Sequence, residues 1–177
     1  MKLIAFAGSN SSTSINKKLA TYAATQFKDS EVEVLDLNDF ELPLFSVDRE
    51  KVLGQPKLAH DFLNKMKSAD LLVVSMAENN RNYSVAFKNI TDWASRIDVN
   101  IFAGKPMLLM ATSPGARGGA SVLEIAEKYF PRYGAKILKT FSLPSFEENF
   151  KDGEGIVNED LKNKLLQLIK EIQNEQV

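Results

Sequence analysis

The segment MKLIAFAGSNSSTSIN, residues Met1–Asn16, decides the fold of this sequence. Its residues Lys2–Ala7 are almost continuously apolar, which is typical of a strand buried on both faces of a parallel sheet. The strand ends at Gly8, and a small polar loop, Ser9–Ser14, leads into an amphipathic helix. Unpaired backbone N–H groups and the positive end of the helix dipole meet at such a helix start. With the loop hydroxyls, they predict a phosphate site held by neutral donors. The alternative is an ordinary turn in which Ser or Thr caps the helix.

Strand and helix patterns alternate along the rest of the chain. Apolar runs predict strands at Lys2–Ala7, Glu31–Leu37, Leu71–Ser75, Pro106–Ala111 and Lys136–Phe141. Apolar residues at helical spacing predict helices at Ser14–Lys28, Gln55–Lys67, Tyr83–Arg96, Ala120–Tyr129 and Asn158–Ile172. In the second strand, the alternating pattern predicts a position near the sheet edge and an inward orientation of Val32, Val34 and Leu35. We expect irregular structure at Asn38–Gly54 and in the segment through Phe146 and Gly155.

Five strands that alternate with five helices predict an α/β three-layer sandwich in one domain, residues 1–177, with helices on both faces of a parallel sheet. In the strand order 2-1-3-4-5, the switch point lies between strands one and three. Ligands bind at the carboxyl ends of the strands at such a point. The polar loops that begin at Gly8, Ala77 and Thr112 follow strands one, three and four, so we expect them to converge on one site.

The motifs that are missing narrow the choice of ligand. A dinucleotide-binding fold would carry G-x-G-x-x-G after the first strand, and a nucleotide triphosphatase would carry G-x-x-x-x-G-K-[ST]. Neither occurs, and Gly8 is the only glycine before Gly54. The remaining well-known phosphate ligand at this place is flavin mononucleotide (FMN) in a flavodoxin-like sheet.

Composition excludes several other classes of protein. Hydrophobic residues make up 44% and charged residues 25% of the 177, which is ordinary for a globular protein. A formal net charge of -1 favours neither nucleic acid nor an anionic membrane as a partner. No cysteine is present, which removes disulfides and thiolate chemistry and fits a reducing compartment. No apolar run approaches the roughly 20 residues of a membrane helix, and we expect a cytoplasmic protein.

Three motifs in chain order resemble those of the NADPH-dependent FMN reductase family, which includes quinone, azo-dye and chromate reductases. The first loop, Gly8-Ser9-x-x-x-x-Ser14-x-Asn16, resembles the family's G-S-x-R-x-x-S-x-N. The family's P-E-Y-N loop and K-N-x-x-D-W helix resemble Ala77-Glu78-Asn79-Asn80, followed by Tyr83, Lys88-Asn89 and Asp92-Trp93. Its S-P-G-x-x-G-G loop resembles Thr112–Gly119. The three motifs span Gly8 to Gly119.

The resemblance implies a set of cofactor-binding residues. It implies an FMN phosphate held by Ser9, Ser14 and Asn16, with help from the N–H groups of Thr13 and Ile15. It also implies an isoalloxazine ring bordered, mainly through backbone groups, by Ala77, Glu78, Asn79 and Asn80. From the other side, the ring or ribityl chain would be approached by Ser113, Pro114 and Gly115.

The same resemblance implies the reaction and the assembly. NADPH or NADH would give hydride to the flavin, which would pass electrons to a quinone, an azo compound, free flavin or a metal oxyanion. Because the flavin carries the chemistry, we expect no catalytic acid, base or nucleophile and no metal. The family resemblance also implies a homodimer or homotetramer with the flavin near the subunit boundary.

Two of the motifs depart from the family pattern, at three positions in total. Ser11 stands where the family has an arginine, so a positive charge is missing beside the predicted phosphate. Ala77 and Asn79 replace the proline and tyrosine of P-E-Y-N. Losing the proline loosens a turn, and losing the tyrosine removes aromatic surface near the ring.

Several chemically versatile residues have ordinary interpretations. His60 is predicted to be structural or solvated, because zinc sites need three or four clustered ligands. Lys88 and Asp92, four residues apart on a helix, are predicted to form a surface pair. Trp93 is predicted to lie in the core or at a subunit interface.

Other residues keep two interpretations. Arg81 lies in the loop predicted to border the flavin. It would meet NADPH phosphates or the charge of reduced flavin, or it would be an exposed loop charge. Arg117 has the same two interpretations, with structure favoured. Leu44 and Phe45 would either line an acceptor pocket or fill the core.

Two other functions compete with the reductase. An electron carrier of the flavodoxin type would need a protein partner, but such carriers are expected to be strongly acidic. A flavodoxin-like protein with weakened or lost flavin binding would serve an interaction role, and the departures at Ser11, Ala77 and Asn79 support it.

Overall fold

The central element is a parallel sheet with the predicted strand order. The computed structural model describes residues 1–175, so Gln176 and Val177 of the predicted domain lie outside the description. Five parallel strands pair in the order β2-β1-β3-β4-β5, which confirms the predicted fold class. Their bounds are β1 Lys2–Ala7, β2 Glu31–Leu35, β3 Leu71–Met76, β4 Pro106–Thr112 and β5 Lys136–Leu143.

Helices and a small hairpin complete the described chain. The α-helices are α1 Ile15–Thr25, α2 Val47–Leu53, α3 Lys57–Ser68, α4 Val85–Ser95, α5 Ala120–Tyr129, α6 Phe146–Asn149 and α7 Glu159–Glu175. Two 3₁₀ turns lie at Leu37–Phe40 and Phe130–Tyr133. A two-stranded antiparallel hairpin pairs β6 Phe150–Lys151 with β7 Gly155–Ile156. No helix of the described residues is both long and apolar enough to cross a membrane.

Two apolar cores lie on opposite faces of the sheet. Successive side chains of a strand point to opposite faces, and β1 shows this directly. Ile4 and Phe6 pack with α3, α4 and α5 on one face. Leu3 and Ala5 pack with α1 and α7 on the other. The continuous apolar runs of the central strands follow from this two-sided burial.

The prediction of irregular structure at Asn38–Gly54 is wrong in part, because this stretch contains the first 3₁₀ turn and α2. Ser46 caps α2 by accepting a hydrogen bond from the N–H of Arg49 at 3.1 Å, and Gly54 ends it at a φ of +65°. No residue of α2 is buried. A helix without a buried face has no apolar periodicity, which is why the sequence pattern did not reveal it.

The segment after β5 and the second strand also need correction. The region predicted as a loop contains α6 and the β6–β7 hairpin, and the rings of Phe146 and Phe150 stack with centroids 4.7 Å apart. β2 ends at Leu35 and is an edge strand, as predicted. The inward placement of Val34 is wrong, since its side chain is 37% exposed. An edge strand has a neighbouring strand on one side only, so alternation alone overstates its burial.

Candidate functional site

Three loops meet at the carboxyl edge of the sheet. They are residues 8–14 after β1, residues 77–84 after β3 and residues 113–119 after β4. The parallel register pairs Ala7 with Ser75 and Met76 with Ala111, so the three strands end at nearly the same level. The loops therefore emerge side by side at the switch point of the sheet, where ligands bind in this architecture.

A buried asparagine ties the ends of β3 and β4 to α1. Asn16 is 3% exposed, and its Oδ1 accepts hydrogen bonds from Ser75 Oγ at 2.7 Å and from Thr112 N–H at 3.0 Å. Its Nδ2 donates to the Thr112 carbonyl at 3.1 Å. These three bonds direct the side-chain amide into the protein. The backbone N–H is therefore the group of Asn16 that is left for the predicted contact with a phosphate.

A second tie joins the β1 loop to α4. Ser84 Oγ donates to the Gly8 carbonyl at 2.8 Å and accepts from the N–H of Phe87 at 3.1 Å, capping α4. The N–H of Gly8 donates to the Ser75 carbonyl at 2.9 Å. A Cβ on Gly8 would lie 2.6 Å from Met76 Cε, so a larger residue here would require the Met76 side chain to move.

Sequence analysis missed the roles of Ser75 and Ser84 in these ties. Ser75 is a buried hydroxyl in an otherwise apolar strand, and that contrast was the available signal. Ser84 carried the signal of an N-cap before a helical pattern. Their bonding partners are 59 and 76 residues away in sequence, so only the folded chain shows what they hold.

The loop after β1 folds back on its own hydroxyls. Ser9 Oγ accepts from Ser11 N–H at 3.2 Å, and Ser11 Oγ accepts from Thr13 N–H at 3.3 Å. Ser14 Oγ caps α1 by accepting from Lys17 N–H at 3.1 Å. Ser14 is therefore an ordinary helix cap, and the hydroxyls of Ser9 and Ser11 bind the loop's own backbone. The N–H groups of Ile15 and Asn16 open α1 and have no intrahelical partner.

Two lysines flank this loop with their charges already paired. Lys17 Nζ lies 2.5 Å from Asp36 Oδ2, and Lys18 Nζ lies 2.8 Å from Asp152 Oδ2. The hydrogen bond from Lys17 lowers the pKa of Asp36, with a further contribution from the Asn38 N–H. The helix start therefore offers an anion neutral donors rather than an unpaired cation, as predicted from the loop composition.

The loop after β3 contains a tight turn. Asn79 and Asn82 exchange backbone hydrogen bonds of 2.9 and 3.0 Å. The two central residues, Asn80 and Arg81, have φ angles of +50° and +64°. Positive φ at both central residues defines the type I′ family of hairpin turns. Arg81 is exposed at the tip of this turn.

Glu78 connects the same loop to α5. Its Oε2 accepts a hydrogen bond from Val122 N–H at 3.0 Å, in the first turn of the helix. The N-cap of α5 is Gly119, which has no side chain to do this. A carboxylate at a helix start is stabilising because it meets the positive end of the dipole. Its backbone is then the part of Glu78 that can face a ligand, in line with the predicted backbone contacts.

The loop after β4 has a packed part and an open part. Gly118 and Gly119 have φ angles of +56° and +74°, and a Cβ on Gly119 would lie 2.9 Å from Ala111 Cβ. Ser113 Oγ accepts from Gly119 N–H at 3.2 Å and closes the loop. A Cβ on Gly115 would meet nothing within 4 Å. Pro114 and Gly115 are exposed and form an open rim.

A cavity of about 460 Å³ lies between the first two loops, in the size range of small-molecule pockets. Its lining includes Asn10, Asn79, Ala86 and Asn89, and also residues from the stretch 37–44 that follows β2. Asn89 holds this stretch by donating to the Leu42 carbonyl at 2.9 Å.

Leu44 and Phe45, which were predicted either to line a pocket or to fill the core, have different environments in the structure. Leu44 lines the cavity, and its side chain is 58% exposed. Phe45 packs edge-on against Trp93 with centroids 5.1 Å apart. Trp93 is fully buried, as predicted for a core residue, and its Nε1 donates to the Pro43 carbonyl at 2.8 Å.

The remaining candidate residues lie at the surface, and only Asp92 among them is partly buried. Lys88 and Asp92 form the predicted surface pair, with Nζ 2.6 Å from Oδ1. His60 is exposed, and no cluster of three or more potential metal ligands occurs within residues 1–175. Arg117 is exposed and lies 3.4 Å from Ser121 Oγ.

The doubly wound sheet, the neutral cradle at its switch point and the flanking loops define a flavodoxin-like nucleotide-binding protein. Residues 1–148 match the family described as NADPH-dependent FMN reductase. The chain belongs to this family, which confirms the resemblance found in the three sequence motifs. It also confirms an oxidoreductase that works with FMN and NAD(P)H.

Relatives and solved structures agree with this assignment. The chain is 30% identical over 180 residues to an NADPH:quinone oxidoreductase of Arabidopsis thaliana, covering 98% of this chain and 90% of that protein. It is 34% identical over 122 residues to a 2-hydroxy-1,4-benzoquinone reductase of a Burkholderia species, covering 68% and 64%. The structure of FerB, a flavoenzyme NAD(P)H:(acceptor) oxidoreductase from Paracoccus denitrificans, superposes with a TM-score of 0.76 at 22% identity, covering 96% and 93%. That structural likeness supports the fold.

Proposed function

We propose that this protein passes electrons from NAD(P)H through bound FMN to a quinone or another small acceptor. The observation that carries the proposal is the convergence of three mutually tied loops at the switch point, in a chain of the NADPH-dependent FMN reductase family. Each loop has groups suited to a different part of FMN.

The first loop suits the phosphate. The N–H groups of Ile15 and Asn16 sit at the start of α1, and the hydroxyls of Ser9, Thr13 and Ser14 belong to the loop that leads into it. A hydroxyl that accepts one hydrogen bond can still donate its own proton, so Ser14 can cap α1 and also bind an anion. We propose that these five residues hold the FMN phosphate with neutral donors and the helix dipole.

The other two loops suit the ring. We propose that Ala77, Glu78, Asn79 and Asn80 border one side of it, mainly through backbone groups. On the other side, the open position at Gly115 leaves room for a ligand, with Ser113 and Pro114 beside it. When bound, FMN supplies hydride acceptance and electron transfer. The residues of this chain orient it and exclude water, and none is proposed as an acid, base or nucleophile.

A quinone is the acceptor we favour. Two relatives carry names that specify quinone or benzoquinone reduction. In this chain, the cavity of about 460 Å³ beside the loops has the apolar side chain of Leu44 in its wall. A planar apolar acceptor can desolvate against such a wall. Azo compounds, free flavin and metal oxyanions are the other small acceptors to test.

The visible absorbance spectrum tests the proposal first. Purified protein is incubated with FMN, desalted and then mixed with NADPH and NADH in separate anaerobic samples. Retained flavin bands that bleach with either nucleotide and recover on adding a benzoquinone are expected. Failure to retain FMN would favour the interaction protein with lost flavin binding. Bleaching without turnover of any small acceptor would favour the electron carrier.

We also propose a homodimer formed through the outer face of α4 and its surroundings, which we call the α4 face. Leu44 and Val85 each expose more than half of their side chains there. Grooves of about 280 and 370 Å³ run along α4. Among buried side-chain nitrogen and oxygen atoms of residues 1–175, Tyr83 Oη alone lacks a partner, and burial raises its pKa.

We propose that a second copy of the chain binds to the α4 face. Leu44 and Val85 line both the 370 Å³ groove and the cavity at the loops, so the exposed apolar surface is continuous with the proposed flavin site. Sedimentation velocity of Val85→Lys should show monomers where wild type shows dimers. Val99→Lys, at an exposed valine that lines none of these grooves, is the control. A monomeric wild type at micromolar concentration would overturn this assembly.

Two further proposals concern the whole chain. We propose that residues 1–177 act as one FMN-binding domain, supported by a sheet and cores built from segments between β1 and α7. We propose a cytoplasmic location, where reduced nicotinamide co-substrates are available. Cell fractionation with an antibody to the chain tests the location.

A further inference from the structure

We propose that Arg81 binds the phosphate groups of the nicotinamide co-substrate. The inference rests on the proposed function and concerns the exposed guanidinium at the tip of the turn Asn79–Asn82. This turn stands beside the cavity of about 460 Å³, because Asn79 lines that cavity together with Asn10 of the first loop. A side chain at the tip can therefore reach the mouth of the site.

The backbone of Arg81 is strained. Its φ of +64° is the largest among the non-glycine residues with positive φ in the part of the chain described here. Type I′ turns favour Asn followed by Gly at the two central positions, and Asn80 follows this preference. Arginine tolerates the left-handed region poorly because its Cβ approaches the carbonyl oxygen. Strained backbone conformations cluster at functional sites. The strain at Arg81 therefore favours a functional role for its guanidinium.

Packing within the described chain does not account for Arg81. The residue is exposed, and its guanidinium makes no hydrogen bond or ion pair with any of residues 1–175. Two lysines in the helices that follow the first two loops differ in this respect. Lys17 and Lys88 are paired with Asp36 and Asp92. Arg81 thus keeps its full charge available at the loop edge.

Phosphate is the chemistry that matches this group. The planar guanidinium donates two parallel hydrogen bonds to phosphate oxygens, and it stays charged at every relevant pH. The nicotinamide co-substrates carry a pyrophosphate, and NADPH carries an additional 2′-phosphate. Both sources present the same chemistry to Arg81, so the experiment must separate them. The phosphate of FMN is a third source, and FMN content is therefore measured in every variant.

Three substitutions separate charge from backbone strain. Arg81→Asn removes the charge and tolerates positive φ, Arg81→Gly removes both charge and strain, and Arg81→Lys keeps the charge. Arg132→Asn removes one exposed cation outside the three loops and serves as the matched control. We expect the Asn and Gly variants to raise the KM for NADPH about tenfold at unchanged kcat and FMN content. The Lys variant should keep most of the affinity, and the control should match wild type.

Two probes locate the phosphate without turnover. Calorimetric titrations use ADP-ribose and 2′-phospho-ADP-ribose, which differ only in the 2′-phosphate. Weaker binding of both probes to Arg81→Asn places Arg81 at the pyrophosphate, and weaker binding of the second alone places it at the 2′-phosphate. Either result supports the proposal. Unchanged binding of both, or a loss shared by Arg132→Asn, overturns it.

Thermal unfolding completes the test. Arg81→Gly should melt a few degrees higher than wild type, because relief of the turn strain adds stability while the nucleotide affinity falls. A lower melting temperature together with an unchanged KM would show that the arginine serves the fold, and would overturn the proposal. If wild type itself retains no FMN or does not oxidise either nucleotide, the proposed function fails before the variants are compared.

Discussion

Two groups of residues at the same edge of the sheet are held in opposite ways. The buried knot consists of Asn16, Ser75, Ser84 and Thr112, whose polar side chains have protein partners and are at most 3% exposed. The exposed rim consists of Asn80, Arg81, Pro114 and Gly115, which are solvent-facing. Side-chain hydrogen bonds thus set the shape of the site, and we propose that the residues with free surface meet the ligand. Four predictions, ordered by their expected effect on stability, test this division.

The largest effect is expected in the knot. Asn16→Ala removes three buried hydrogen bonds and leaves Ser75 Oγ and both backbone groups of Thr112 without their partner. Unsatisfied buried groups are costly, so we expect a loss of about 3 kcal/mol in the free energy of unfolding. Urea denaturation measures it. Asn10→Ala, at an exposed asparagine of the loop before α1, should change stability by less than about 0.5 kcal/mol. Equal effects would abolish the distinction between knot and rim.

The second-largest loss of stability is expected at Gly119. Gly119→Ala combines a φ of +74° with a contact of 2.9 Å to Ala111 Cβ, and we expect a loss of about 2 kcal/mol. Gly153→Ala is the control, since Gly153 has a φ of +83° but open space around the added Cβ. It should lose about 1 kcal/mol from the backbone alone. A control as damaging as Gly119→Ala would show that packing at the β4 loop contributes nothing.

The third effect concerns the half-exposed pair between Lys17 and Asp36. Because the folded-state pKa of Asp36 is lowered, its contribution is present above the unfolded pKa of about 4 and is lost as pH falls through the folded value. Asp36→Asn should therefore cost about 0.5 kcal/mol at pH 7 and almost nothing well below pH 4. Urea unfolding across this range measures the difference. If Asp36→Asn still lowers the free energy of unfolding at low pH, the effect comes from the changed packing of the side chain and not from its charge.

The smallest effect on stability is expected at the rim. Gly115→Ala adds a methyl group where no atom lies within 4 Å, so the free energy of unfolding should stay within about 0.5 kcal/mol of wild type. If FMN occupies that space, its dissociation constant should rise about tenfold, measured by quenching of flavin fluorescence. Unchanged FMN affinity would remove Gly115 from the proposed site. A large loss of stability would instead make it part of the knot.

Much of the site was predictable because its motifs are local. The cradle before α1, the polar loop after β3 and the double glycine before α5 are each contained in a few consecutive residues. The strand-to-helix alternation then placed them at one sheet edge. The partners of Asn16 and Glu78 were not predictable, since they lie 96 and 44 residues away at Thr112 and Val122. Sequence spacing carries no information on which distant backbone group a side chain will meet.

The sequence by itself determined the sheet order, the family and the three loops, because apolar periodicity and short motifs depend on neighbouring residues. Only the tertiary structure decided how each loop residue is used. It committed the Asn16 amide to the protein, turned Glu78 toward α5 and left Arg81 free at the tip of a strained turn. The physical reason is that a polar group's role depends on whether burial supplies it with a partner, and burial is a property of the whole fold.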